Sequence, residues 1–356
     1  MGASGFVGSR VVEMFHLGGM GDIRPIVRSF GSLARLARFD LEYKIANALD
    51  QKDLVNAFEG CDFVVHSVAG NPEVIEGSIS ATYRAAEAAG VKRIAYISSA
   101  SVFGQAPSKG TNDSTPLSDR QDQPYNNWKV RAERKLLKER DKGNVEVVIL
   151  RPGIVFGPRD RWISAIAADL VRGKAYLVNG GTGICNSIYV DNLVQAVHLS
   201  LTAKAADGEA FIVGDAETVT WRDLYENVAG ALGLSPNEIH RVSPPRFNKG
   251  LKERVDKFRS LGATQAALPF FPPKLKRSVK AALNAWPETP AAATAINSSG
   301  PSLNVTLEMS ELHQCGYKLP HEKAEQLLGY KPIVSFAEGC RRSIGWLRFA
   351  GYDVVN

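Results

Sequence analysis

The chain has 356 residues, 44% hydrophobic and 22% charged, enough apolar material for a large core and enough length for two domains or one domain with a sizeable extension. No stretch approaches the roughly 18 consecutive apolar residues of a membrane span, and the start lacks the basic cluster and apolar run of a signal peptide, so a cytoplasmic globular protein is expected. The net charge of +6 is concentrated between Arg241 and Lys280, where eleven Lys/Arg meet two acidic residues; the remainder is mildly acidic, which excludes a nucleic-acid-binding face running over the whole molecule.

The chain opens MGASGFVGSR, with Gly2, Gly5 and Gly8 at G-x-x-G-x-x-G spacing. Such glycines let the backbone turn tightly against a pyrophosphate, and a helix starting near Phe6 would offer its free N–H groups to the phosphates. A strand should lead into this turn, and none does. We therefore expect the first strand to be missing from this chain, with Met1 not the natural start and roughly five to eight strand residues before it. Further on, IRPIV (23–27), FVVHSVA (63–69), RIAYISS (93–99) and VEVVILRP (145–152) read as buried strands, with helices at 53–60 and 81–90 between them, the latter closed by Gly90. This alternation predicts an α/β, Rossmann-type doubly wound parallel sheet. After Pro158 the pattern loosens: a strand, a turn and a helix over 186–201, a strand over 209–215, then helices with long connections. Residues 287–302, rich in Pro, Ala and Ser, read as a flexible loop. The expected division is a dinucleotide-binding domain of residues 1–160 and 184–215, and a smaller, mostly helical substrate lobe of residues 161–183 and 216–356.

Three elements carry chemistry. PYNNWK places Tyr125 and Lys129 four apart at a helix start, on one face, where an ammonium could lower a phenol's pKa by roughly 1–3 units; the plainer reading is one buried tyrosine and one solvated lysine. YISSASVFG ends an apolar strand in hydroxyls, at the sheet end where ligands bind. The four cysteines, Cys61, Cys185, Cys315 and Cys340, are scattered without metal or disulfide spacing and read as ordinary thiols; no metal is expected.

With these motifs in order, the sequence resembles the extended short-chain dehydrogenases/reductases, which include NAD(P)-dependent sugar-nucleotide epimerases and dehydratases and 3β-hydroxysteroid dehydrogenases. GASGFVGS, EGCDFVVHSVAG, AYISSASVFG, YNNWK, LRPGIVFGPRD, SIYVDNLVQAV and a C-terminal stretch over 323–347 carry the resemblance across most of the chain. It implies Tyr125 as general acid/base, Lys129 as the cation that lowers its pKa and holds the nicotinamide ribose, and Ser99 as the hydroxyl that orients the reacting oxygen, with Ser98 and Ser101 as alternatives. It implies coenzyme contacts from Gly2, Ser4, Gly5, Phe6, Val7, Gly8, Arg28, Val68, Ala69 and Pro152, besides Tyr125 and Lys129.

The chain departs from the family pattern at several places. Arg28 stands where an NAD enzyme usually has an acidic residue, which leans the NAD(P) choice to NADP, and Ala48 replaces a frequent aspartate. Cys185 occupies the place of an arginine that holds the diphosphate in many sugar-nucleotide members, and Ser78 that of an asparagine; Arg159, Arg241 or Arg246 could reach phosphates from another direction. The expected activity is hydride transfer to and from a secondary alcohol or ketone carbon, of a nucleotide sugar in the first instance. The alternatives are a 3β-hydroxysteroid-dehydrogenase-like or ketone-reducing enzyme with an apolar substrate, and a non-catalytic dinucleotide sensor. A small-molecule substrate, no nucleic-acid partner and a homodimer are expected. The basic, aromatic segment 246–286 reads as a solvated helical pair over the cleft or as a peripheral membrane contact.

Overall fold

The computed structural model describes residues 1–245, 247, 293–295 and 303–355. The glycine turn feeds α1 (Phe6–Leu17), followed by two short parallel strands, β1 (Ile26–Val27) and β2 (Lys44–Ile45), which pair only with each other. Next come α2 (Gln51–Phe58), β3 (Phe63–His66), α3 (Pro72–Ala88), β4 (Arg93–Ile97), α4 (Pro124–Arg140) and β5 (Glu146–Pro152). Two of these helices start on capping side chains. Asp50 accepts from the Lys52 and Asp53 amides at the head of α2, and Asn71 accepts from the Val74 amide at the head of α3, where Pro72 follows. These caps start α3 well before the expected residue 81, while Gly90, at φ +73°, lies just past its end.

The second half contributes β6 (Ile154–Phe156), α5 (Arg161–Val171), β7 (Tyr176–Val178), β8 (Ile184–Cys185), β9 (Ser187–Tyr189), α6 (Val190–Thr202), β10 (Ala210–Val213), β11 (Val219–Thr220), α7 (Trp221–Ala231) and β12 (His240–Val242). Then follow β13 (Ala293–Ala295), β14 (Leu303–Val305), α8 (Leu307–Leu312), α9 (Glu322–Leu328) and α10 (Phe336–Phe349). The principal sheet has the order β10-β5-β4-β3, all parallel. Two expectations need correction. β9 runs straight into α6 without a turn, Tyr189 itself serving as the N-cap. Within the stretch expected to be a flexible loop, the described residues 293–295 form a strand, because β14 offers it an antiparallel partner. The basic segment 246–286 lies outside the described residues except for Phe247.

The core is built on both sheet faces. Leu54, Phe58, Ile75, Ile79, Ile94 and Ile149 join α2, α3 and α4 to one face; Phe15, Leu150, Leu193, Val197, Phe211 and Tyr330 join α1, α6 and the region of α9 to the other. A third cluster, with Ile166, Trp221, Leu224 and Leu347, unites α5, α7 and α10 beyond the sheet. Each fully buried Leu, Ile or Phe contributes about 1.5–3 kcal/mol, so these faces hold the helices in place.

A polar junction fastens the third cluster to the sheet. The buried Asp215 carboxylate accepts from Ser187 Oγ, the Tyr189 amide and Asn192 Nδ2, while Asn192 also donates to the Val334 carbonyl and accepts from the Ile333 and Val334 amides.

Between β1 and β3 the sheet is interrupted. The backbone of Met1 to Ala3 bridges the two parts: the Met1 main-chain nitrogen donates to Val65 O at 2.7 Å, Ser67 N to Met1 O at 3.2 Å, and Ala3 N to Ile26 O at 3.3 Å. Alongside this bridge lies a slot of about 690 Å³, lined by strand edges and by side chains such as Val12, Phe15, Ile26, Phe58 and Val64. No strand precedes the glycine turn among the described residues.

Candidate coenzyme and catalytic site

Gly2 and Gly8 are shaped by contact. Gly2 has φ +71°, and a Cβ on it would stand 2.8 Å from the Ser67 backbone; a Cβ on Gly8 would stand 2.2 Å from the Gly2 carbonyl oxygen. Only glycine fits either place, so the turn closes tightly on the head of α1, where Gly5 is the N-cap and the first amides have no side-chain cap. Phe6 and Val7 pack into the core clusters behind it. The Ser4 carbonyl accepts from Arg35. Val68 and Ala69 follow β3 at the same end of the sheet, Arg28 projects into solvent directly after β1, and Pro152 closes β5. A cradle of this kind, with free helix amides and no room for a side chain, fits the pyrophosphate of a dinucleotide.

The other half of the site stands at the end of β4. Ser98 N donates to Leu150 O and continues the ladder, and the backbone then leaves the sheet in a short helical turn over 100–103 with Ser99 as its cap. The three serines separate by their partners. Ser98 Oγ donates inward to Glu133 at 2.5 Å; Ser99 Oγ accepts from the Ser101 amide and stays partly open; Ser101 Oγ is buried and unpaired among the described residues. Of these, Ser99 keeps a hydroxyl free to meet a ligand.

Tyr125 and Lys129 occupy the first turns of α4. Tyr125 is 39% exposed, whereas Lys129 is 2% exposed and donates to Ile97 O at 3.0 Å and to Tyr96 Oη at 3.4 Å. The ammonium lies 5.0 Å from the Tyr96 ring centroid and 5.9 Å from that of Tyr125. This rules out the plainer reading of the pair and corrects one expectation. The lysine is not solvated, and the Tyr125 phenol is pushed above its usual value rather than below it, by burial first, with Arg161 lowering and Glu308 raising it. Burial likewise pushes Lys129 down to about 8, against the opposing pull of Glu133.

Below Lys129 sits a buried network that the sequence did not reveal. Arg151 clasps Glu133, with Nη2 to Oε2 at 2.7 Å, and also donates to the Asp113 carbonyl; Glu133 is one helical turn past Lys129. His66, pushed down to about 3 by burial, meets Ser78 Oγ at 3.1 Å and packs against Tyr96. Arg151 had a readable trace, a charged residue in an otherwise apolar strand; Glu133 had none, since charged residues crowd its helix. Among the described residues no group of His, Cys, Asp or Glu is placed to hold a metal ion, and no helix is long and apolar enough to cross a membrane.

The stretch that holds the glycine turn, Ser99, Tyr125 and Lys129 lies within the match of a family model. The model of the NAD dependent epimerase/dehydratase family covers residues 1–214. The chain belongs to that family. Similar proteins of known activity include the 3beta-hydroxysteroid-dehydrogenase/decarboxylase isoform 1 of Arabidopsis thaliana, 22% identical over 96% of this chain and 77% of its own. The UDP-glucose 4-epimerase of Mycolicibacterium smegmatis is 27% identical over 73% of this chain and 89% of its own. Among solved structures, the dTDP-glucose 4,6-dehydratase DesIV of Streptomyces venezuelae, with NAD and TYD bound, superposes with a TM-score of 0.70 at 20% identity, covering 98% of this chain and 95% of its own. This likeness establishes the Rossmann-like fold. As a member of the NAD dependent epimerase/dehydratase family the chain is an enzyme, an oxidoreductase of the epimerase, dehydratase or dehydrogenase kind.

Proposed function

We propose that the chain interconverts a secondary alcohol and a ketone on a small molecule, most readily a nucleotide sugar, with Tyr125, Lys129 and Ser99 as its working groups. The observation that carries this reading is that Lys129, one turn past Tyr125 on α4, reaches Ile97 O at the end of β4, two residues before Ser99. A bound nicotinamide supplies the hydride acceptor and donor. Tyr125 moves the proton of the reacting oxygen, and Ser99 Oγ orients that oxygen. With its pKa pushed upward, the phenol is protonated at neutral pH, the form that donates to a carbonyl oxygen. To act as a base it needs the Lys129 ammonium, which has one N–H left after those given to Ile97 O and Tyr96 Oη.

Residues 1–160 with 184–215 would hold the coenzyme, and residues 161–183 with 216–356 the substrate. The coenzyme reading leans to NADP. Arg28 leaves β1 exposed, with no side-chain bond among the described residues, and is free to meet an adenosine 2′-phosphate. NADPH should bind more tightly than NADH, and Arg28→Ala should lose about tenfold or more for NADPH alone, the size of a charged hydrogen bond. Equal affinity for the two coenzymes would refute it.

A steroid or ketone dehydrogenase is the second reading, favoured by Cys185, buried where a diphosphate-binding arginine was expected. Net consumption of coenzyme separates the two. Incubating the protein with UDP-glucose and, separately, with a 3β-hydroxysteroid, while following reduced nicotinamide, should give sugar conversion without net reduction in the first case. Stoichiometric reduction with the steroid alone would reverse the assignment.

A further inference from the structure

The Glu133 carboxylate, buried on α4, has both oxygens engaged by other elements. Ser98 Oγ, just past β4, donates to Oε1 at 2.5 Å. From β5, Arg151 donates through Nη2 to Oε2 at 2.7 Å and through Nε to both oxygens at 3.2 Å. Arg151 Nη1 goes on to the Asp113 carbonyl at 3.0 Å, and the Asp113 carboxylate accepts from the Ile212 amide on β10 at 2.5 Å. One carboxylate thus joins α4 to the end of β4 and to β5 directly, and to β10 through Arg151 and Asp113.

The same carboxylate stands one helical turn past Lys129, and residues four apart on a helix lie side by side on one face. The titratable groups around the lysine are Tyr125 and Glu133 on α4, Tyr96 on β4, His66 on β3 through Tyr96, and Arg151 on β5 through Glu133. The turn over 100–103 brings no titratable group, and where α3 meets α4, Glu76 pairs with Arg131 and Arg84 with Glu139. Burial pushes His66 down to about 3 and pushes both phenols up, so none of the three is charged at neutral pH. What remains is two buried cations, Lys129 and Arg151, with one anion, Glu133, to serve both. A buried ammonium without an opposite charge beside it gives up its proton readily. Burial pulls Lys129 that way, and Glu133 opposes it.

We propose that Glu133 is a positioning residue for Tyr125 and Lys129: its carboxylate, shared with Arg151, keeps the buried lysine side chain charged and so fit to stabilise the phenolate. The proposal rests on reading Lys129 as the cation that serves Tyr125, and it adds the group that sets that charge. Glu133 acts through the lysine, not on the reacting oxygen. Arg151 is the counterweight. Removing the carboxylate leaves the lysine with a second cation and no anion, so it turns neutral at lower pH; removing the guanidinium leaves the carboxylate to the lysine, which then stays charged to higher pH.

A chain labelled with ¹³C at the lysine ε-carbon reports the titration of each ammonium by NMR, and Lys129→Met identifies the signal. In the native chain that signal should titrate near 8. Glu133→Gln, which keeps the shape and removes the charge, should lower the midpoint by about one pH unit or more, a tenfold change in proton affinity. Arg151→Gln should raise it by a similar amount. Glu139→Gln is the control: it lies on the same helix, its carboxylate is taken by Arg84 and Ser80, and the midpoint should not move. Circular dichroism and melting temperatures show which variants are folded, and either of the first two decides the matter alone. A midpoint displaced in the stated direction supports the proposal. An unmoved or oppositely displaced midpoint in a folded variant overturns it, as does a loss of stability without displacement, which is what a purely structural brace would give. The lysine is read with neither coenzyme nor substrate present, so a failure of the catalytic reading leaves this titration unaffected.

Discussion

The two parts of the sheet hold the site by different means. β3, β4, β5 and β10 form one unbroken parallel ladder, with every residue of β4 buried and helices over both faces. β1 and β2 are two residues each, pair only with one another, and join the rest through the backbone of Met1 to Ala3 and through Arg24, which donates to the Ala57 and Glu59 carbonyls. Ser99 and Lys129 are fixed against the unbroken ladder, while Arg28, Arg35 and Arg38 lie in the connection between β1 and β2. In the proposed reading, proton transfer, which tolerates little misplacement, rests on the rigid part, and the coenzyme's adenosine end meets the more lightly held one.

Tyr125→Phe tests the rigid part most severely. It should lower turnover by about 10²- to 10⁴-fold while leaving coenzyme affinity within a few-fold of native, as measured by steady-state kinetics and by fluorescence titration. Activity equal to that of the native chain would remove Tyr125 from the mechanism. Glu133→Ala comes next. It strands the buried Arg151 guanidinium without its carboxylate and should cost about 3–5 kcal/mol in urea unfolding, whereas Glu139→Ala, on a more open part of the same helix, should cost far less.

The pH response of Lys129 is the third test. The ammonium is the working form, so kcat/KM should fall as pH rises through about 8. The sign for stability is opposite. The lysine's folded value lies below its ordinary 10.5, so the native state releases this proton first; its contribution to stability rises as pH goes from about 8 to 10.5 and is lost as pH falls back through about 8. Urea midpoints that decline over that window in the native chain, but not in Lys129→Met, would contradict the assignment. The smallest expected effect lies in the slot. Extending the chain before Met1 by an apolar strand of roughly five to eight residues should raise the melting temperature by a few degrees and tighten coenzyme binding. Unchanged melting would mean that the slot is no seat for a strand.

How much was legible follows from how local each signal was. RIAYI and EVVILRP are wholly or almost wholly buried runs, and a pattern that needs both faces covered reads the same in sequence as in space. The glycine turn and the pair Tyr125 and Lys129 are likewise short-range patterns. Which serine keeps an open hydroxyl was not decidable from spacing alone, because Ser98 is turned inward by Glu133, 35 residues away. The direction of the Tyr125 shift was missed because it is set by burial of the phenol, which spacing does not report, while the ammonium gives protons to Ile97 O and Tyr96 Oη. The ion-pair cluster at Glu13 was hidden most deeply, since Arg38 and Arg159 meet there only after three segments fold together.

The junction of Asp215 and Asn192 bears on how the molecule comes apart. Both Asn192 amide atoms and both Asp215 carboxylate oxygens are occupied, and their partners lie on β9, on α6 and in the connection into α10. Separating the helical cluster of α5, α7 and α10 from the sheet would leave several of these buried groups unpaired at once, at about 1–3 kcal/mol each. Opening by degrees is therefore disfavoured, and the two parts should melt as one cooperative unit. Calorimetry should show a single transition, and the amides of Tyr189, Ile333 and Val334 should exchange with solvent only through global unfolding.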